Sequence, residues 1–206
     1  MIKVVAIHSR EDNTTIALSD YWQTFGPGYF PPPNFQLVPR YGPDATWSNA
    51  NPHPPPLRAV LQDPDVKLIL GLSHSDTGIF EGDHNEQLFT VANVDNSVAG
   101  KIAHFCSCNP MPELGQAFIN QGCLAFVGYN VDIIGTARDM RTVVKCDAQL
   151  DFYLAQGLSV ADAMDRARDA FNAAIAAAPA PQKAEFAAVR DALCVVGNDG
   201  LKLSDL

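Results

Sequence analysis

No apolar run in this chain approaches the roughly 20 residues that a membrane-spanning helix requires. There is no cluster of Lys and Arg, and the formal net charge is −9 over 206 residues. A nucleic-acid partner is therefore not expected, because it needs a basic footprint. The N-terminus has no charged region followed by a long hydrophobic one; MIKVVAIHSRED reads as a short strand and not as a secretory signal. No CxxC pair, internal repeat or low-complexity tract occurs beyond two Pro-rich loops. Five cysteines is an odd number, and their spacing matches no small disulfide scaffold. The expectation is reduced thiols in a cytoplasmic protein, with no membrane association and no cofactor. What remains is an ordinary globular composition, 47% hydrophobic and 18% charged. It is long enough for one domain, 1–206, with a substantial core.

The hydrophobic pattern alternates between strand and helix signals. Residues 2–7 form a continuous apolar run of strand length, and 14–25 predicts a helix. GPGYFPPPN at 26–34 predicts a loop, 35–39 an extended segment, and the Pro-rich 41–56 a second loop. A short helix at 57–62 precedes the buried strand Val66–Leu72. Residues 77–100 are polar and irregular, with a short helix predicted near 86–91. A strand at 102–107, a helix at 113–121 capped by Gly122, and a strand at 124–128 follow.

The last third predicts helices. Ser159 caps the first, with Asp162 three residues on. Met164, Ala167, Phe171, Ala174 and Ile175 fall on one face, and Pro179 and Pro181 end it. A second helix is expected at 182–193. An apolar run at 194–196 and an NDG turn before 201–203 close the chain. This alternation implies an α/β fold, a three-layer sandwich around a mostly parallel central sheet. Ligands of such sheets sit beyond the C-terminal strand ends. His74 and Cys108 both lie just past such ends.

A thiolate is the nucleophilic form of cysteine, and a neighbouring imidazole is the usual means of generating it. Cys108 and His74 are the candidate pair, with Cys106 as the alternative nucleophile if the strand ends early. The backbone amides of Ser75 and Cys108 are placed to donate to an oxyanion. On residue types alone, a strand-end histidine and two small core cysteines describe the same positions more simply. His104, Cys106 and Cys108 also form H-x-C-x-C, but same-face strand neighbours stand about 7 Å apart, too far for one tetrahedral metal. No metal is expected. Cys123, Cys146 and Cys194 read as core, His8 as a satisfied strand-end histidine, and His53 and His84 as loop residues. Arg10, Glu11, Asp12, Asp76 and Asp132 are loop charges, each most simply solvated.

KIAHFCSCNPMPELGQAFINQGCLAFVGY resembles the caspase–gingipain superfamily of cysteine peptidases, including the CHAT-type caspase-like domains. In that group a buried strand ends in a small residue and the nucleophilic cysteine, here Ser107-Cys108. A helix follows, here Leu114-Gly115-Gln116-Ala117-Phe118, and then a strand from Gln121-Gly122-Cys123 to Gly128-Tyr129. The catalytic histidine follows the preceding strand, usually as His-Gly; here it is His74-Ser75. The segments GPDATWSN and VVGNDGLKL are similar to bacterial members. The resemblance implies a caspase-like fold and a Cys–His dyad cleaving a protein or peptide substrate. It also implies a specificity pocket beside the first strand, the cysteine strand and the following loops, where Arg10, Glu11, Asp12, Asp76 and Asp132 are candidates whose signs disagree.

Two other readings stand beside it. A catalytically silent caspase-like module that binds a protein or peptide fits the His-Ser departure. A flavodoxin-like nucleotide or flavin binder shares the alternating pattern, but HSREDNTT offers hydroxyls and no glycine after the first strand.

Overall fold

The structure, a computed structural model, describes residues 1–41, 56–133 and 137–206. The GPDATWSN segment and His53 lie outside them. Strand β1 (Ile2–His8) leads into helix α1 (Asn13–Tyr29), then β2 (Phe35–Tyr41), α2 (Leu57–Leu61) and β3 (Val66–Leu72). A small antiparallel sheet follows, β4 (Ser75–Asp76), β5 (Ile79–Glu81) and β6 (Gln87–Thr90). The chain returns through β7 (Ile102–Cys106), α3 (Gln116–Asn120), β8 (Ala125–Tyr129) and helices α4 (Ala137–Ala155), α5 (Val160–Ala177) and α6 (Ala180–Ala192). It ends with β9 (Leu193–Gly197) and a 3-10 turn at Leu203–Asp205.

Among the described residues the central sheet has six strands, in the order β2-β1-β3-β7-β8-β9. All neighbours pair parallel except β8 with β9. Residues on alternate sides of these strands feed two cores. Val4, Ala6, Leu68, Leu70, Cys106 and Val127 pack under α1, α4, α5 and α6. Val5, Ile7, Ile69, Ala103, Phe105 and Phe126 pack under the small sheet, α2 and α3. The molecule is thus α/β with helices on both faces of a mostly parallel sheet.

The second core is built on aromatic rings. Phe105 meets Phe80 at a centroid distance of 4.4 Å, Phe126 at 5.0 Å and Phe118 at 5.6 Å. Gly71 makes room for them: a Cβ there would lie 2.8 Å from Phe80 and 2.9 Å from Phe105.

Several local expectations need correction. Helix α1 runs through GPG to Tyr29 instead of ending at 25. Tertiary contacts outweigh the poor helix propensity of that stretch. Trp22 lies over Gly26, and Tyr29 meets Phe152 edge-on at 5.6 Å. The segment 86–91 is not helical but contains β6, because pairing with β5 buries Leu88 and Phe89. The helix expected from 113 opens as a wide π-turn, Met111–Gly115, with the Leu114 N–H donating to the Thr77 carbonyl at 2.9 Å. Gly122 does cap its helix in the left-handed region, at φ +90°. Ser159 caps α5 as expected, its hydroxyl accepting from Asp162 N–H at 3.2 Å.

Candidate functional site

Chain order reverses between β1 and β3: β2 lies on one side of β1, while β3, β7 and β8 lie on the other. That switch point is where open α/β sheets place ligands. A cleft of about 130 Å³ opens there, and both His74 and Cys108 line it. His74 arrives because β3 ends at Leu72; Cys108 arrives because the neighbouring β7 ends at Cys106. Thr14, Thr15 and Leu18 of α1 form one wall, and Ile133 and Met140 another.

Strand β7 ends one residue earlier than the sequence suggests, the condition under which Cys106 would replace Cys108. Burial overrides that condition. Cys106 is 1% exposed on the cleft floor, and burial, then the Asp147 carboxylate, pushes its thiol well above the ordinary range. Cys108 is half-buried and reachable. Its sulfur accepts from the Ile133 N–H at 3.3 Å. Burial raises the Cys108 pKa, the Ile133 amide opposes this, and Asp132 adds to the rise. The resting group is a thiol, so a base must take its proton.

His74 lines the same cleft. Among the described residues no hydrogen bond joins it to Cys108, but its Nε2 bonds the Asp12 carboxylate at 2.8 Å. Asp12 uses its other oxygen to cap α1, accepting from Thr14 N–H at 2.9 Å and Thr15 N–H at 2.8 Å. Partial burial works to raise the Asp12 pKa, but the Thr15 amide and His74 outweigh it and hold the carboxylate below its usual range. With Nε2 fixed, Nδ1 is the nitrogen left to exchange a proton. Sequence reasoning placed Asp12 only among specificity candidates. The available signal was its position as the helix cap directly after β1, at the switch point.

Ser75 ties the two loops together, its hydroxyl donating to the Cys108 carbonyl. The Glu81 N–H bonds the His74 carbonyl at 3.0 Å, which makes Ser75–Phe80 a non-hydrogen-bonded pair of the ladder. The Ser75 N–H therefore points away from β5. The Cys108 N–H has no backbone acceptor among the described residues. Asn109, just after it, holds a left-handed φ of +44° that an asparagine tolerates.

None of the five charged candidates is among the residues that line the cleft. Arg10 bonds Asp20 at 2.7 Å, Asp76 bonds the Thr77 N–H at 2.7 Å, and Glu11 and Asp132 are exposed. His8 is buried edge-on against Trp22 at 5.3 Å, and burial lowers its pKa to about 3, so it is neutral. His84 is exposed in a 3-10 turn. His104 does not line the cleft; Asp151 at 2.7 Å and Asp147 at 3.1 Å hold it, so neither ring nitrogen is open to a metal. Among the described residues no group of three or more His, Cys, Asp or Glu is arranged to hold a metal ion.

A larger groove, about 630 Å³, lies between α4, α5 and the start of α6, but it includes no strand-end residue. Among the described residues no helix is long and apolar enough to cross a membrane. No family model matches the chain, and no curated protein matches it.

Proposed function

We propose that this chain is a caspase–gingipain-like cysteine endopeptidase with a caspase-like fold, acting on a protein or peptide. One observation carries the reading: Cys108 and His74, from the ends of adjacent parallel strands, line a single cleft at the switch point of the sheet. The Cys108 sulfur attacks the scissile carbonyl while its proton passes to His74, which Asp12 orients and stabilises as a cation. The Ser75 and Cys108 amides hold the resulting oxyanion. The carbon–nitrogen bond then breaks, His74 protonates the leaving amine, and water hydrolyses the thioester.

The silent binding module remains the second reading. The Ile133 contact at the thiol and the missing thiol–imidazole bond favour it. The nucleotide reading loses support, because Asp12 already occupies the α1 N–H groups that a phosphate would need.

The test is alkylation by iodoacetamide at neutral pH with peptide mapping. Rapid labelling confined to Cys108 and lost in His74→Ala supports the peptidase. Slow or scattered labelling, unaffected by that substitution, supports the silent module.

A further inference from the structure

We propose that the floor of this cleft is the pocket for the substrate side chain on the acyl side of the scissile bond. It takes a small, uncharged side chain able to hydrogen-bond, such as that of asparagine, serine or threonine. This rests on the peptidase reading above.

Each residue of the pair is preceded by a serine, Ser73 before His74 and Ser107 before Cys108, and both serines line the cleft. Ser73 is 4% exposed and Ser107 3%. Neither hydroxyl has a hydrogen-bond partner among the described residues. A buried polar group without a partner costs free energy unless a ligand or water satisfies it. Two such groups in one cleft, directly beside the reacting residues, call for a polar ligand group.

The remaining walls set its size and charge. Thr14 offers a further hydroxyl, while Leu18 and Met140 are apolar. Among the described residues no Asp, Glu, Lys or Arg lines the cleft, and the Asp12 carboxylate at its mouth is already taken up by His74 and the Thr14 and Thr15 amides, so a charged side chain would find no free counter-charge. A volume of about 130 Å³ matches about four waters; a short side chain fits it, and an aromatic ring would cover both serine hydroxyls without satisfying them.

The experiment uses peptidyl acyloxymethyl ketones that differ only in the side chain beside the ketone: Asn, Ser, Ala, Asp, Arg or Phe. Labelling is followed by intact mass and mapped to its site. The Asn and Ser probes should modify Cys108 at least tenfold faster than the Asp, Arg and Phe probes. Ser107→Ala should lower the Asn-to-Ala rate ratio about fivefold, as expected for one lost hydrogen bond. Thr14→Asp, compatible with the start of a helix, should shift the preference toward Arg. Both variants are read as ratios within one preparation, so partial misfolding cancels.

Labelling of Cys108 fastest with Asp, Arg or Phe, or ratios unmoved in both variants, overturns the pocket and leaves the peptidase standing. A folded protein in which no probe labels Cys108 overturns both.

Discussion

His74 and His104 both sit on carboxylates at hydrogen-bond distance, yet the two arrangements differ in nearly every other respect. His74 and Asp12 are 42% and 47% exposed, and the pair joins two loops at the mouth of the cleft. His104 is 2% exposed and lies between Asp147 and Asp151, one turn apart on α4. Tyr129 donates to Asp147 and Trp22 to Asp151, so β7, β8, α1 and α4 meet on one network. Burial opposes a charged His104, but the two carboxylates outweigh it and hold its pKa well above the ordinary imidazole value. Burial raises Asp151 as well, against the pull of His104. The comparison separates two uses of one chemistry. A histidine sealed between carboxylates fixes layers together; one held by a single solvated carboxylate keeps a nitrogen available for proton transfer.

The sharpest way to break this contrast is to delete each imidazole. His104→Ala leaves two carboxylates buried without a cation and should cost roughly 3–5 kcal/mol in urea unfolding. His74→Ala should cost less than about 1 kcal/mol, as for other exposed pairs. Equal losses would remove the distinction.

A pH series tests the same point. Because the folded pKa of His104 is raised, its contribution is complete below the unfolded value near 6.5 and is lost as pH rises through the folded value. The melting temperature should therefore fall on the alkaline side, by about 2–4 °C for each kcal/mol lost. His104→Gln should flatten that limb, and His74→Gln should leave it in place.

Asp12→Asn keeps a competent helix cap but removes the carboxylate from His74. Alkylation of Cys108 should slow about tenfold, the equivalent of about 1.4 kcal/mol, with circular dichroism unchanged. The smallest effect belongs to Ser75→Ala, which unties the His74 loop from Cys108. It should cost about 1 kcal/mol, seen as faster amide exchange in β4 and β5 with His104 and its partners still protected.

The contrast also marks what could be read from the residues. The end of β3, and that of β7 to within one residue, were legible because LILGL and IAHFC are buried runs that stop at polar residues, which put His74 and Cys108 side by side. The role of Asp12 was not, because a helix cap and a histidine partner look alike in sequence and the partner lies 62 positions away. Cys106 is silenced first by burial and then by Asp147, which belongs to a helix the sequence pattern did not mark. Strands β4, β5 and β6 span only two to four residues each, too short for a period-2 pattern to emerge. Their stability comes from Phe80 and Phe89 packing on Phe105, a long-range contact that no local window contains.

The antiparallel closure of the sheet carries a consequence for how the molecule is made. Strand β9 pairs Gly197 with Ala125 and Leu193 with Tyr129, after α4, α5 and α6 have intervened. Until that last strand emerges, β8 has one unpaired flank while the rest of the sheet can already form. A nascent chain at that stage presents an apolar, hydrogen-bond-hungry ribbon, AFVGY, to any neighbour. Synthesis that pauses late, or a truncation before Leu193, would turn a folding intermediate into a template for self-association.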